Sequence, residues 1–237
     1  MAFYGRDPRV WMKAGDSPVT EADLAADRYL AATLGAARPD HGWLSEETTD
    51  TAARLDCRRL FIVDPIDGTR GFIRRDGEWC VSVAIVEDGQ PVAGALARPT
   101  TGEIYLAARG RGAWLGKTRL RVTAGEAVAA ARFGGSPRIF ASLGLAKAGI
   151  KPVINLSSLA LRLAYVAAGA LDCAIARENA HDWDLAAADL LVHEAGGLLT
   201  TVRGERLVYN AAAPRHPALL AAGPGLHATM LRTLANA

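Results

Sequence analysis

RLFIVDPIDGT, residues 59–69, joins an apolar run to two carboxylates three positions apart, followed at once by a glycine and a hydroxyl. Leu60, Phe61, Ile62 and Val63 are β-formers in an unbroken series, the pattern of a strand buried on both faces. Asp64 then emerges at the strand end. Pro65 fixes one backbone angle and biases Asp64 toward extended geometry, which lets Asp64, the Ile66 carbonyl and Asp67 turn inward together. Oxygen donors of this kind suit Mg²⁺, which takes carboxylates, carbonyls and waters and rarely sulfur or imidazole. Gly68 and Thr69 allow backbone N–H groups to approach an anion closely, and Thr69 adds a hydroxyl. Asp-Gly-Thr is also common turn chemistry, and an Asp after a strand is often only a cap. The rest of the chain has to decide between the two.

Working outward, Thr20 and Asp23 have capping-box spacing and open a helix expected to run to about Leu34, so Asp23 has a capping role available to it. Residues 42–45 read as a short strand delivering Glu46 and Glu47. After Thr69 the β-rich runs 80–86, 91–96, 104–108 and 120–122 are separated by Asp88-Gly89, Thr101-Gly102 and residues 110–117, which reads as an antiparallel meander. The Ala- and Gly-rich stretch 125–135 marks a seam, dividing the chain into an N-terminal α+β lobe (1–124) with most of the acidic candidates and a C-terminal α/β lobe (125–237). Beyond the seam the pattern predicts a strand over 137–141, a short helix over 143–149, extended chain at 151–155 and a helix over 158–168. It then predicts a strand over 171–176, a helix over 183–195 ended by Gly196-Gly197, and a hairpin of 198–202 with 206–209. Asp184 falls in the first turn of its helix, where the macrodipole favours a negative charge by ~0.3 to 1 kcal/mol. The class is α+β in layers.

Composition narrows the setting. With 237 residues, half of them hydrophobic, the chain can bury a substantial core. A net charge of +2 gives no argument for a nucleic-acid or membrane partner. Cys57, Cys80 and Cys173 are odd in number, widely spaced and set among apolar neighbours, which points to reduced thiols in a cytoplasmic protein. The opening residues hold no apolar core of signal-peptide length, and no stretch approaches the ~20 apolar residues of a membrane span.

DPIDGTRGF resembles the first signature of the inositol monophosphatase superfamily, and WDLAAADLLVHEAGG is similar to its second; the Glu46-Glu47 pair and SPVTEAD follow the family's order. The resemblance runs from about Lys13 to Tyr209. It implies a layered αβαβα sandwich of the sugar-phosphatase type and Mg²⁺-dependent, often lithium-sensitive phosphomonoesterase activity on a small phosphorylated metabolite. Carried over by resemblance, Glu46, Asp64 and the Ile66 carbonyl hold a first Mg²⁺, and Asp64, Asp67 and Asp184 hold a second. Asp23 with Glu46 bears on a looser third ion. Glu46 and Thr69 orient the attacking water, the Gly68 and Thr69 N–H groups take the phosphate, and Lys13 lies where the family often has a lysine near it. Glu47 is expected beside the ligands rather than among them.

Two departures stand out. Gly71 occupies a position where most members have Asn or Glu, and the segment before Lys13 is shorter than the family's, so a homodimer partner is one way to cover the sheet face there. LSEE, DSPVTEAD and Arg70 after DGT are similar to the 3'(2'),5'-bisphosphate nucleotidase branch, in which Arg177 and His181 could meet a second phosphate or a base. Inositol-1-monophosphatase or a related sugar or polyol phosphatase is the alternative.

Two other classes compete. An aspartyl-phosphate phosphatase has carboxylates two apart, whereas here they are three apart with Pro65 between, which favours attack by water. A non-catalytic phosphate-binding module should have lost a ligand, and Glu46, Asp64, Asp67, Thr69 and Asp184 are all present.

Overall fold

The computed structural model describes residues 1–13 and 17–236; Asp16 of the DSPVTEAD run lies outside the described residues. A hairpin of β1 (Val10–Lys13) and β2 (Ser17–Thr20) leads into α1 (Glu21–Ala37). The helix starts with the expected capping box. Thr20 Oγ1 accepts from Ala22 and Asp23 N–H, and the Asp23 carboxylate accepts from Thr20 N–H at 2.8 Å. β3 (Gly42–Ser45) pairs in parallel with β4 (Arg59–Asp67), with a short 3-10 turn (Ala52–Asp56) between them. After α2 (Thr69–Arg74), strands β5 (Cys80–Glu87), β6 (Gln90–Arg98), β7 (Glu103–Ala108), β8 (Gly112–Leu115) and β9 (Thr118–Arg119) complete a seven-stranded sheet as an antiparallel meander. β4 is buried on both faces from Leu60 onward, as its unbroken apolar run requires.

The second half runs β10 (Phe133–Gly134), α3 (Pro137–Ser142), β11 (Pro152–Ile154), α4 (Leu159–Ala167), β12 (Cys173–Ala176), β13 (Ala180–His181), α5 (Asp182–Glu194), β14 (Leu198–Thr201), β15 (Arg215–His216), β16 (Leu219–Ala222) and α6 (Pro224–Ala235). Five of these strands form a mixed sheet in the order β11-β10-β12-β16-β14, while β13 and β15 make a separate two-stranded ladder. α5 packs on β4 to β8 and α4 on β12 and β16, so the two helices lie between the sheets. The core they share takes Leu60, Ile62 and Leu96 from the first sheet, Leu161, Leu185 and Leu191 from the helices, and Leu199 and Leu219 from the second. α1 packs against β4, while α3 and α6 join a second core with Phe133, Phe140, Ile175, Leu220 and Met230. The layers are helix, sheet, helix, sheet, helix, the αβαβα sandwich. Among the described residues no helix is long and apolar enough to cross a membrane.

Four local expectations fail. The stretch 137–141 is the helix α3 rather than a strand, because Ser136 Oγ accepts from Ile139 N–H and Pro137 sits in the first turn, where its missing N–H costs nothing. Residues 143–149 are turns instead of a helix, with Gly144 and Gly149 at φ of 73° and 78°. The meander's last strands are β8, inside the stretch 110–117 read as a connector, and β9 just after it, and 120–122 lies outside any named strand. Residues 206–209 form no hairpin with β14; β16 pairs along β14 and leaves an isolated bridge at Arg206.

Candidate active site

β4 does not stop at Val63. It continues through Asp67, and its pairing with β5 shifts register between Asp64 and Asp67, an irregularity of the kind that turns side chains out of a ladder. Asp64 Oδ1 accepts from Ile66 N–H at 3.0 Å, which fixes the turn. Gly68 follows at φ 93°, with the space where a Cβ would stand 2.6 Å from the Glu78 carbonyl oxygen. The same wall explains Gly71: a side chain there would meet Asp76 Oδ1 at 2.8 Å and the Glu78 carbonyl oxygen at 2.9 Å. Asp76 fills that space and accepts from Glu78 N–H and from Arg74.

Asp64, Asp67 and Asp184 each offer an oxygen within 4.8 Å of the others, across the gap between the end of β4 and the first turn of α5. These are the three acids expected around a second Mg²⁺. Burial raises Asp64 well above the ordinary carboxylate range, reinforced by Glu46, Asp67 and Asp184. Asp184 is likewise raised by burial, then by Asp67 and Glu46. Asp67 is raised to about 6 by burial, against the hydrogen bonds it accepts at Oδ2 from Ser158 Oγ and from Ala160 N–H, the latter at 2.7 Å. Crowded acids that oppose one another's ionisation are relieved by a cation, and an all-oxygen donor set suits a hard divalent ion. The residues present fit Mg²⁺.

Glu46 is half-buried beside this cluster and lines the same cleft. Lys13 Nζ reaches it at 2.7 Å and Glu47 at 2.8 Å. Burial pulls Lys13 down, and the two glutamates more than offset that, leaving its pKa raised. Burial pushes Glu47 up to about 7, with Lys13 opposing. Asp23 keeps its capping role at Oδ2 and takes a hydrogen bond at Oδ1 from Thr69 Oγ1 at 3.1 Å; the Ile66 carbonyl lies at the same distance from that hydroxyl. The cleft holds about 500 Å³, and its lining includes Glu46, Ile66, Gly68, Thr69 and Asp184 together with Arg162 and Arg177.

Residues 8–236 match the model of the inositol monophosphatase family. The chain belongs to that family. It is 32% identical over 234 residues to the 3'(2'),5'-bisphosphate nucleotidase CysQ of Aggregatibacter actinomycetemcomitans, covering 88% of this chain and 81% of that protein. It is 38% identical over 217 residues to the histidinol-phosphatase of Mycobacterium tuberculosis, covering 85% and 81%. Among solved structures, the extragenic suppressor protein SuhB of Bartonella henselae superposes with a TM-score of 0.87 at 30% identity, over 98% of this chain and 91% of that one. The family is one of phosphatases, and this chain is an enzyme of that class.

Two residues beside this acid cluster escaped the sequence reading. Ser158 caps α4 by accepting from Leu161 N–H while donating to Asp67, and a Ser before an apolar helix signals only the cap. Arg162 lies one turn into α4, 9% exposed, with Nη1 donating to the Ile175 carbonyl at 3.2 Å and Nε without a protein partner. Burial lowers it to about 10, Asp67 pulling the other way. Its place in an apolar helical pattern hid it. Arg177, expected near substrate, does line the cleft and is exposed, whereas His181 stacks on Trp183 at 4.5 Å with the rings 7° apart.

Proposed function

We propose that this phosphatase removes one phosphate from a small ester that carries a second anionic group, with 3'(2'),5'-bisphosphate nucleotides as the leading substrates and Mg²⁺ as the cofactor. The division into lobes at residue 124 is part of this reading, with the cleft between them. The carrying observation is Arg162: a guanidinium nine-tenths buried, in ion-pair contact with no carboxylate among the described residues, in the wall of the cleft that holds the acids. A buried cation of this kind is costly unless a ligand anion completes it, and Arg177 at the rim adds a second positive group. One relative, the bisphosphate nucleotidase CysQ, has a substrate with two phosphates by name.

In this reading Glu46, Asp64, the Ile66 carbonyl, Asp67 and Asp184 hold two Mg²⁺, with Asp23 and Glu46 near a looser third. The ions would neutralise the ester's charge and make water in the site more acidic. The chain's own groups do the aiming. The Thr69 hydroxyl has a single proton, which Asp23 or the Ile66 carbonyl accepts, so its lone pairs stay open to a proton of the attacking water. Glu46 takes up that water's other proton or directs it, and Lys13 keeps Glu46 in place until substrate and cation arrive. Gly68 and Thr69 N–H groups receive the phosphate oxygens, where fixed dipoles stabilise the transition state without reorganisation. Ser158 and Ala160 hold Asp67 from the second lobe.

The test compares phosphate release from adenosine 3',5'-bisphosphate, inositol-1-phosphate and fructose-1,6-bisphosphate with Mg²⁺. We expect the nucleotide to be turned over with the highest kcat/KM, and Arg162→Met to lower that value ~10- to 100-fold while changing the inositol-1-phosphate value less than ~3-fold. Equal losses on all three substrates would contradict the assignment of a second anion to Arg162.

A further inference from the structure

We propose that Asp182 and His216 are positioning residues that set Asp184 against Asp64 and Asp67 by tying the first turn of α5 to the segment that feeds β4. The inference rests on the reading of Asp184 as a metal ligand. Asp182 and Asp184 share one helical turn but serve opposite sides of it. Asp184 Oδ2 accepts from His181 N–H at 2.7 Å, a bond within its own turn. Such a bond fixes the carboxylate relative to its helix and does nothing to fix the helix relative to β4.

Asp182 supplies that missing restraint. It is fully buried, and its two oxygens have separate donors from one loop: His216 Nε2 at 2.7 Å from Oδ1 and Asn210 N–H at 2.7 Å from Oδ2. A carboxylate only accepts, so Nε2 carries the proton. Asp182 N–H donates in turn to the Pro214 carbonyl at 3.1 Å, and β13 pairs with β15 so that Ala180 faces His216. Asn210 carries the tie onward. Its Oδ1 accepts from Arg54 Nη1 at 2.7 Å and its Nδ2 donates to the Arg54 carbonyl at 3.2 Å. Arg54, 3% exposed, is gripped by both Asp50 oxygens at 2.6 and 2.9 Å. Arg54 lies in the 3-10 turn just before β4, the strand that ends in Asp64 and Asp67.

The loop also holds α5 further along. Tyr209 donates to Asp189 Oδ2 at 2.8 Å, two turns past Asp182, and its ring centroid is 5.4 Å from that of His216. Two points of attachment on one helix define its rotation as well as its height. None of Arg54, Asp182, Tyr209, Asn210 or His216 lines the cleft, so the network has no substrate contact through which to act. Its route to the chemistry is the placement of Asp184, and sites of this kind lose function when a supporting residue lets a ligand move by fractions of an ångström.

The experiment is a Mn²⁺ titration followed by electron paramagnetic resonance, with kcat and KM on the same samples, for Asp182→Asn, His216→Leu, His216→Gln, Arg54→Met and Asp184→Asn. The expected result is that Asp182→Asn and His216→Leu weaken Mn²⁺ about 10-fold and lower kcat with KM changed less than ~3-fold. His216→Gln, which keeps a side-chain N–H donor, should recover most of the affinity. Arg54→Met cuts the tie farther out and serves where His216→Leu does not fold; weakened Mn²⁺ in it supports the proposal. Lower melting temperatures with unchanged Mn²⁺ affinity across Asp182→Asn, His216→Leu and Arg54→Met, while Asp184→Asn loses the ion, would overturn the positioning role alone. Unchanged affinity in Asp184→Asn would overturn the ligand reading and the positioning role with it.

Discussion

The two acids in the first turn of α5 meet opposite fates. Asp182 is fully buried and both of its oxygens are satisfied, by an imidazole and a backbone N–H. Asp184, two residues on, faces Asp64 and Asp67 in a group where burial and like charges raise the pKa of every member. One side of the turn has been provided with donors and the other left short of them. Buried polar groups in folded proteins are normally paired, so a crowd of acids without cations marks the place where the fold gives up stability for chemistry. The difference teaches that acid content alone says little; what matters is which carboxylates the surrounding chain leaves unneutralised.

That contrast can be broken most severely at Asp67. Asp67→Asn should lower phosphate release by about 10³-fold or more while the fold persists, because the side chain keeps its size and loses the charge. Measured without metal, the same variant should melt higher than the parent, since a mutual repulsion is gone. Near-native turnover would remove Asp67 from the chemistry.

A smaller effect sharpens the comparison through pH. The folded-state pKa of Asp67 is raised from 3.8 to about 6, so between these values the native chain binds more protons than the unfolded one. Its contribution is therefore most favourable when protonated, below about pH 4, and is lost as pH rises through about 6. In metal-free samples the melting-temperature gap between Asp67→Asn and the parent should widen from pH 4 to 7, by roughly 2 to 4 °C for each kcal/mol, and Mg²⁺ should close it. Taking the difference between the two proteins cancels His181, whose pKa burial lowers, and Asp189, which burial raises to about 6. A gap that narrows with rising pH would contradict the repulsion.

The smallest effect lies on the satisfied side. Tyr209→Phe removes the hydrogen bond to Asp189 and should cost about 1 to 3 kcal/mol of stability, because Asp189 Oδ1 has no hydrogen bond, only His193 Nε2 at 3.9 Å, and the carboxylate loses its Tyr209 donor. Turnover at 25 °C should fall by less than in Asp182→Asn, because the attachment of α5 at Asp182 remains. The check is a denaturant melt beside a phosphate-release assay.

How much of this was legible in the sequence follows from distance along the chain. The strand before Asp64, the Asp67-Gly68-Thr69 turn and the Thr20–Asp23 capping box are encoded within a few residues, and each forms as expected. Asp184 was found because its signature is local, although its meeting with β4 spans more than a hundred residues. Asp182 stands one residue ahead of that signature, and its partners Asn210 and His216 are 28 and 34 residues away and lie in no motif. Arg162 looked like one polar position in an apolar helix, and only the packing of α4 between two sheets shows it to be buried. Pro137 misled in the other direction: a β-rich run after Ser136 is overruled by a cap and a first-turn proline. Local chemistry is written in the chain, whereas the satisfaction of buried charge is a property of the assembled layers.

The central claim, that unneutralised acids from two parts of the chain act through a divalent cation, is tested most directly by phosphate release from adenosine 3',5'-bisphosphate in protein stripped of metal and then titrated with Mg²⁺. The account predicts no turnover in chelator, a saturable return as Mg²⁺ is added to the parent, and no return in Asp184→Asn. Full turnover in chelator, or equal recovery in Asp184→Asn, would contradict it.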